Sequence, residues 1–368
     1  MTHRSSALTR RRPRQIATLA LLAASSLALA ACSSGGGASA SSADPDAYKV
    51  ALVGGVAGDL SYTDSALAGL TEAKDTLGVT TTHIEAPDVA QGETLLRSAI
   101  QTSPDLVLSI TLPLDTVIAI AEQYPDQKIG MPDQSLEDSE IPDNLELYTI
   151  NTHEGSFLAG LVAGTMTTTK KVGAVLGGDS PGLNQFGWAY EQGVKTACAD
   201  CTVQKTYLNF TFNDPALGKS TALDMHSDGV DVIFQVAGGS GTGVIEAAEE
   251  GGFYAIGVDS DQDSVAPGTV ITSMMKHVDA NVLNMVTSAK DGDFTAGATN
   301  VGLADGATGL SWDEGSTVFE DAHPELAETI AAAKASVEDY KAQILDGSFE
   351  VCDALNAADS AACAPYAG

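Results

Sequence analysis

Residues 229–262 read GVDVIFQVAGGSGTGVIEAAEEGGFYAIGVDSDQ, and the change of pattern inside this stretch decides the fold. An apolar run at 230–236 breaks into a glycine-rich turn, an amphipathic segment follows at 242–250, and a second apolar run fills 253–258. That is one β-α-β unit. Short runs rich in Val and Ile, without strict polar alternation, fit parallel strands covered on both faces. Open α/β sheets bind ligands beyond the carboxyl ends of their strands. The glycine turn after the first strand and the acids Asp259, Asp261 and Asp263 after the second both fall there.

Working outward, the same alternation recurs on both sides. Strands are predicted at 49–56, 80–84, 106–110, 128–131 and 145–151, with helices at 65–77, 91–102 and 115–123 between the first four. A second series follows with strands at 171–176 and 202–207, helices through 188–195 and up to 226, and then the opening unit. Beyond it come a strand at 270–273, a helix at 279–289, a helix at 324–345 and a tail holding two cysteines. Two successive doubly wound series imply two similar lobes, which a length of 368 residues accommodates. The stretch 154–164, EGSFLAGLVAG, repeats small residues every four positions and predicts a helix packed closely on a neighbour near a domain junction.

The N-terminus reads differently. Arg4, Arg10, Arg11, Arg12 and Arg14 precede an apolar stretch at 16–31 that ends in Leu29-Ala30-Ala31-Cys32. A basic start, a short apolar core interrupted by Ser25 and Ser26, and a cysteine at the cleavage point make residues 1–31 a lipoprotein signal peptide rather than a membrane span. Cys32 then becomes the lipidated first residue, and the Ser- and Gly-rich residues 32–47 form a flexible tether. Export by the general or the twin-arginine route stays open. The expected location is the extracytoplasmic face of the bacterial cell membrane, held by lipid alone.

Loss of the five leader arginines takes the formal charge from -31 to -36, which opposes binding nucleic acid through a basic surface. The remaining cysteines form two local pairs, Cys198 with Cys201 and Cys352 with Cys363. Outside the cytoplasm, both read as disulfides. For the C-x-x-C pair a structural clip is favoured over a redox centre. No zinc spacing is present, and His83, His153, His226, His277 and His323 lie scattered without a recurrent partner. Neither a metal nor a cofactor is expected, and no nucleophile elbow or metal cluster points to an enzyme.

Five motifs, VIFQVAGGSGTGVIEAA, IGVDSDQ, TSMMK, EGSFLAGLVAG and FNDPALGK, together resemble the basic membrane protein family. These are substrate-binding lipoproteins of ABC transporters, with purine nucleoside receptors among them. The resemblance covers nearly all of 48–289. It implies a type I periplasmic-binding-protein fold, α/β, with two Rossmann-like lobes and a ligand cleft between them. Lobe 1 is expected to hold 48–153 together with 268–368, and lobe 2 to hold 154–267. The implied partners are a nucleoside and the permease subunits of an ABC importer, and the implied state is a monomer.

The resemblance also implies a site. Tyr62 stands at the aromatic position of the family's Asp-x-Ser-Phe-Asn motif, and Phe212 in the loop that supplies an opposing ring, so the two would sandwich a base. Asp259 matches the family's ribose-binding aspartate and Lys276 the lysine of TSMMK. A carboxylate accepts from two hydroxyls at once, while an ammonium donates to ribose oxygens. Gly238 and Gly239, with Gly241, would admit close backbone approach. Asp59 and Asp133 would accept from base nitrogens, and Ser61 lies in the same motif. Each has a plainer reading: the rings as loop packing, Asp59, Asp261 and Asp263 as solvated or helix-capping acids, Phe186 and Trp188 as core or cleft rim. Ser61-Tyr62-Thr63 departs from the family's Ser-Phe-Asn, removing an amide that reads a base edge and leaving the choice of base open. A free sugar or another small polar solute is the alternative ligand in the same fold.

Overall fold

The structure is a computed structural model that describes residues 47–134 and 140–367. The leader, Cys32 and nearly all of the tether lie outside the described residues. The first series comprises β1 (Lys49–Val53), α1 (Tyr62–Leu77), β2 (Thr80–Ile84), α2 (Val89–Gln101), β3 (Leu106–Ser109), α3 (Leu114–Gln123), β4 (Ile129–Met131) and β5 (Leu145–Ile150). The second comprises α4 (Thr152–Met166), β6 (Lys171–Leu176), α5 (Pro181–Ala197), β7 (Thr202–Tyr207), α6 (Pro215–Ser227), β8 (Val232–Val236), α7 (Gly239–Gly251), β9 (Tyr254–Asp259) and β10 (Val270–Lys276). The chain ends with α8 (Val278–Asp291), β11 (Gly297–Val301), β12 (Thr308–Leu310), α9 (Val318–Ala322) and α10 (Ala327–Leu345).

Among the described residues the strands form two six-stranded sheets, ordered β11-β5-β4-β3-β1-β2 and β12-β10-β9-β8-β6-β7. Every pairing is parallel except β10 with β12. The strands that neighbour two others are buried nearly throughout, Leu52, Leu108, Phe234 and Ile256 completely, which is why they carry apolar runs instead of an alternating pattern. The opening unit is β8, α7 and β9. Its helix starts at Gly239, three residues before the amphipathic pattern begins: Gly241 and Gly243 are packed inward against Gln235 and the Pro215 carbonyl, and this first turn carries no large apolar side chain to mark it.

The expected lobe boundary needs correction. Residues 268–276 do not return to the first lobe: β10 pairs with β9, Met275 beside Asp259, and with β12 on its other side. All seven β10 residues are buried, and an apolar run covered on both faces does not specify which of two similar sheets receives it. The return comes at His277. There α8 packs on α1 and buries Val278, Val282 and Met285 with Val50, Leu52 and Leu108. After β11 joins the edge of the first sheet beside β5, the chain crosses again, and β12, α9 and α10 complete the second lobe. The 268–368 segment expected in lobe 1 is therefore divided, with only α8 and β11 on the first side. Three crossings, after β5, β10 and β11, join the lobes.

From Phe157 to Gly164 helix α4 is apolar all round, as a helix covered on several sides must be. It lies between α5 and α10 and touches β10 and β12. The four-residue spacing of its small residues does what it predicts. A Cβ on Gly160 would sit 2.1 Å from the Tyr190 carbonyl oxygen of α5, and one on Gly193 of α5 would sit 2.1 Å from the Phe157 carbonyl oxygen of α4. The sulfurs of Cys198 and Cys201 lie at bonding distance, as do those of Cys352 and Cys363. Among the described residues no helix is long and apolar enough to cross a membrane.

Candidate ligand-binding cleft

Carboxyl ends of strands from both sheets converge on one cleft of about 950 Å³. From the first lobe come Asp59 and Tyr62, beyond β1, and Asp133, beyond β4. From the second come Phe212 and Gly238, beyond β7 and β8, and Asp259 and Lys276, the last residues of β9 and β10. The packing of strands fixes these positions, and loops only present them.

Lys276 is the electrostatic centre. Its side chain is 8 % exposed, and Nζ donates to Asp133 Oδ2 at 2.9 Å while standing 3.3 Å from Asp259 Oδ1. Burial alone would lower the pKa of this ammonium, but the Asp133 and Asp259 carboxylates outweigh it and hold the group above the ordinary lysine value. Nζ also lies 4.7 Å from the Tyr62 ring centroid and 5.5 Å from that of Phe186, a cation–π arrangement. Burial, then Asp133, Asp259 and Asp59, pushes the Tyr62 phenol well above its usual pKa, so it stays a neutral donor. Ser61 Oγ donates to Asp259 Oδ2 across the lobes. Asp259 itself takes φ +67°, a left-handed backbone rare for a residue with a side chain and characteristic of positions where function holds strain.

The opposite wall is aromatic. Phe210 and Phe212, 59 % and 37 % exposed, stand in the loop between β7 and α6. Glycines seat them: a Cβ on Gly177 would lie 2.1 Å from the Phe212 ring and one on Gly178 2.5 Å from the Phe210 ring. Ser240 clips the loop, its N–H donating to the Phe212 carbonyl at 2.9 Å and its hydroxyl to that of Thr211 at 2.8 Å. Asn209 and Phe210 both take positive φ, 51° and 63°. Large rings held out of the core on a strained, clipped loop offer a flat apolar face to a ligand.

Tyr62, Asp133, Phe212, Gly238, Gly239, Asp259 and Lys276 thus meet at one cleft. Asp59 also lines it, but its carboxylate accepts from the N–H groups of Ser61, Thr63 and Asp64 at 3.0, 2.9 and 3.1 Å. Those bonds satisfy the first turn of α1 and leave little capacity for a base; capping is the role its geometry shows. Ser61 is fully buried and reaches the site through Asp259. Gly238 and Gly239 make room for the Phe212 loop, their missing Cβ positions lying 3.5 and 3.2 Å from the Phe212 carbonyl oxygen, and Gly241 faces Gln235 inside the lobe. Asp261 accepts from the Asp263 N–H at 2.9 Å, a local turn. Asp263, its pKa raised by burial although the hydroxyls of Ser316, Ser273 and Ser311 donate to it and pull the other way, ties β9 and β10 to the segment after β12. Phe186 lies at the cleft. Phe210 also lines the cleft and was not among the residues expected there; it stands in a turn with positive φ, where no strand or helix period marks it.

A family model described as Bmp, ABC transporter substrate-binding protein PnrA-like, matches residues 48–337. The chain belongs to the Bmp family. Proteins of this family are the extracytoplasmic substrate-binding components of ABC transporters, whose partners are a small-molecule ligand and permease subunits. Bmp relatives include basic membrane protein A1 of Borrelia garinii subsp. bavariensis, 33 % identical over 276 residues, which are 73 % of this chain and 81 % of the relative. The CD4+ T-cell-stimulating antigen of Listeria monocytogenes serovar 1/2a is 31 % identical over 336 residues, 84 % of this chain and 89 % of the relative. Among solved structures, an ABC transporter solute-binding protein from Aeropyrum pernix K1 superposes with a TM-score of 0.72 at 28 % identity, over 82 % of this chain and 92 % of that one. A second, from Conexibacter woesei, gives 0.62 at 19 % identity, over 84 % of this chain and all of that one, a likeness of fold. The Bmp chain accordingly has the type I periplasmic-binding-protein fold.

Proposed function

We propose that this Bmp protein is a lipid-anchored, monomeric receptor that captures a nucleoside, a purine nucleoside foremost, and delivers it unchanged to the permease of an ABC importer. The observation that carries the reading is the Lys276 ammonium held between Asp133 and Asp259 in a cleft whose other wall is an exposed phenylalanine pair. A nucleoside has a flat apolar base and a ribose with vicinal hydroxyls, and the cleft offers a complement to each. Tyr62 and Phe212 take the two faces of the base, with Phe210 extending the platform. Asp259 accepts from the ribose hydroxyls, and Lys276 donates to ribose oxygens.

Closure follows from the same parts. The lobes are joined by three crossings and carry separate cores, so rotation about the crossings closes the cleft without repacking either core. A ligand touching Tyr62 and Asp133 on one side and Phe212 and Asp259 on the other favours the closed state by its contacts with both, and the closed shape is what a permease recognises. The signal peptide and Cys32 support the anchor, with the tether giving the receptor reach from the membrane.

Calorimetry of the purified full chain with nucleosides, free bases and sugars, followed by chromatography of the recovered ligand, tests this. Heat from nucleosides and recovery of intact ligand are expected. Heat from sugars alone would overturn the nucleoside reading, and recovered free base would make the protein a hydrolase.

A further inference from the structure

Beside the main cleft lies a second chamber of about 350 Å³, lined in part by Thr149, Asn151, Gln185, Asn300, Leu355 and Asn356. Asp133, Phe186, Lys276 and Leu355 line both spaces, so the chamber opens from the charged end of the cleft. Leu355 and Asn356 belong to the loop closed by Cys352 and Cys363, and that loop lies beyond the 48–337 stretch matched by the family model.

The loop is built into the lobe. Phe349 packs on Phe157 of α4 and Tyr340 of α10, with ring centroids 4.9 and 5.0 Å away. Gln192 of α5 then clamps the backbone, accepting from the Cys352 N–H at 2.7 Å and donating to the Glu350 carbonyl at 3.1 Å. Gln185, two turns earlier on the same face of α5, donates to Asp353 at 2.7 Å. Asp353 in turn accepts from the N–H groups of Leu355 and Asn356 at 3.0 and 3.1 Å and from the Asn356 amide at 2.8 Å. Both cysteines are completely buried. Leu355 is thereby held at the junction of chamber and cleft.

We propose that this disulfide-closed tail is a specificity wall, which admits ligands with an uncharged hydrogen-bonding extension on the sugar side and limits its size. This rests on the nucleoside reading above. The chamber adjoins Lys276, the cation assigned to ribose oxygens, while Tyr62 and Phe212, assigned to the base, line only the main cleft, so it receives a substituent of the sugar and not of the base. Beside the apolar Ile150, Leu183, Phe186 and Leu355, its lining offers amides and hydroxyls, and its one lysine is already paired with Asp133 at 2.9 Å. A neutral amide or hydroxyl group finds partners there, whereas a phosphate would meet Asp133 without a spare cation.

The test compares the full chain with Leu355→Trp and with Cys352→Ser/Cys363→Ser, using calorimetry against adenosine, 5′-N-alkylcarboxamides of adenosine of increasing size, adenosine 5′-phosphate, monosaccharides and disaccharides. Circular dichroism and the melting temperature establish that each variant is folded. The parent is expected to bind the smaller carboxamides and to reject the phosphate. Added bulk at the junction should lower the affinity ratio of carboxamide to adenosine by about tenfold, since overpacking excludes the extension first. Opening the loop should erase the size cut-off. Unchanged ratios in both folded variants, or a parent that rejects every carboxamide while binding adenosine, overturn the wall. Binding of sugars alone overturns the nucleoside reading, and the wall is then judged by whether the variants change the ratio of disaccharide to monosaccharide. A parent that binds no member of the panel overturns both.

Discussion

The Lys276 ammonium, at the end of the second sheet's β10, lies 2.9 Å from the carboxylate of Asp133, at the end of the first sheet's β4. One ion pair thus bridges the two lobes at the floor of the cleft, and Asp259 joins it 3.3 Å from the same nitrogen. A charge this buried keeps its ionised form only with partners, so the three side chains act as one unit.

Asp259 is the member expected to meet the ribose. Asp259→Ala should weaken nucleosides by about 10- to 100-fold, the range for losing one hydrogen bond to a charged group, while free bases change far less. Calorimetry with adenosine and adenine decides it, and equal losses would remove the ribose role.

Phe212 is expected to carry stacking energy. Replacing a base-stacking ring by alanine costs about 1–3 kcal/mol, so Phe212→Ala should weaken nucleosides by about 5- to 150-fold. The folded state should change little, because the ring is 37 % exposed. A ring that served only as loop packing would lower the melting temperature and leave affinity untouched.

Gly193 tests the close packing of α4 on α5. In an exposed helix interior Gly→Ala stabilises by about 1 kcal/mol. Here the new Cβ would meet the Phe157 carbonyl oxygen at 2.1 Å, and overpacking against backbone costs about 3 kcal/mol. Gly193→Ala should therefore lower stability in urea titration, and a gain would show that the helices have room to part.

Glu146 in β5 is buried, and its Oε2 has no hydrogen-bond partner among the described residues. Burial pushes its carboxyl up from 4.5 to about 7. Between those values the folded state holds a proton that the unfolded state has released. Its contribution is therefore most favourable below 4.5, falls as pH rises and levels off above about 7. Glu146→Gln should stabilise the protein by about 2 kcal/mol at pH 8, with the gain vanishing toward pH 4.5. Melting temperatures across that range test the sign, and a gain independent of pH would contradict it.

The 229–262 stretch determined, by itself, that the chain is a doubly wound α/β protein, because strand and helix periods and the glycine turn between them are local properties of sequence. Motifs likewise marked Tyr62, Phe212, Asp259 and Lys276, which do line one cleft. Tertiary structure alone decided that β10 joins the second sheet, since a strand buried on both faces has no pattern that names its neighbours. It also decided that Asp59 spends its carboxylate on the first turn of α1, that Gly177 and Gly178 seat Phe212 and Phe210, and that Leu355 from the tail reaches the site. Each of these depends on which surfaces meet across long sequence separations, and a polar or glycine residue carries no local mark of the partner that packing will bring to it.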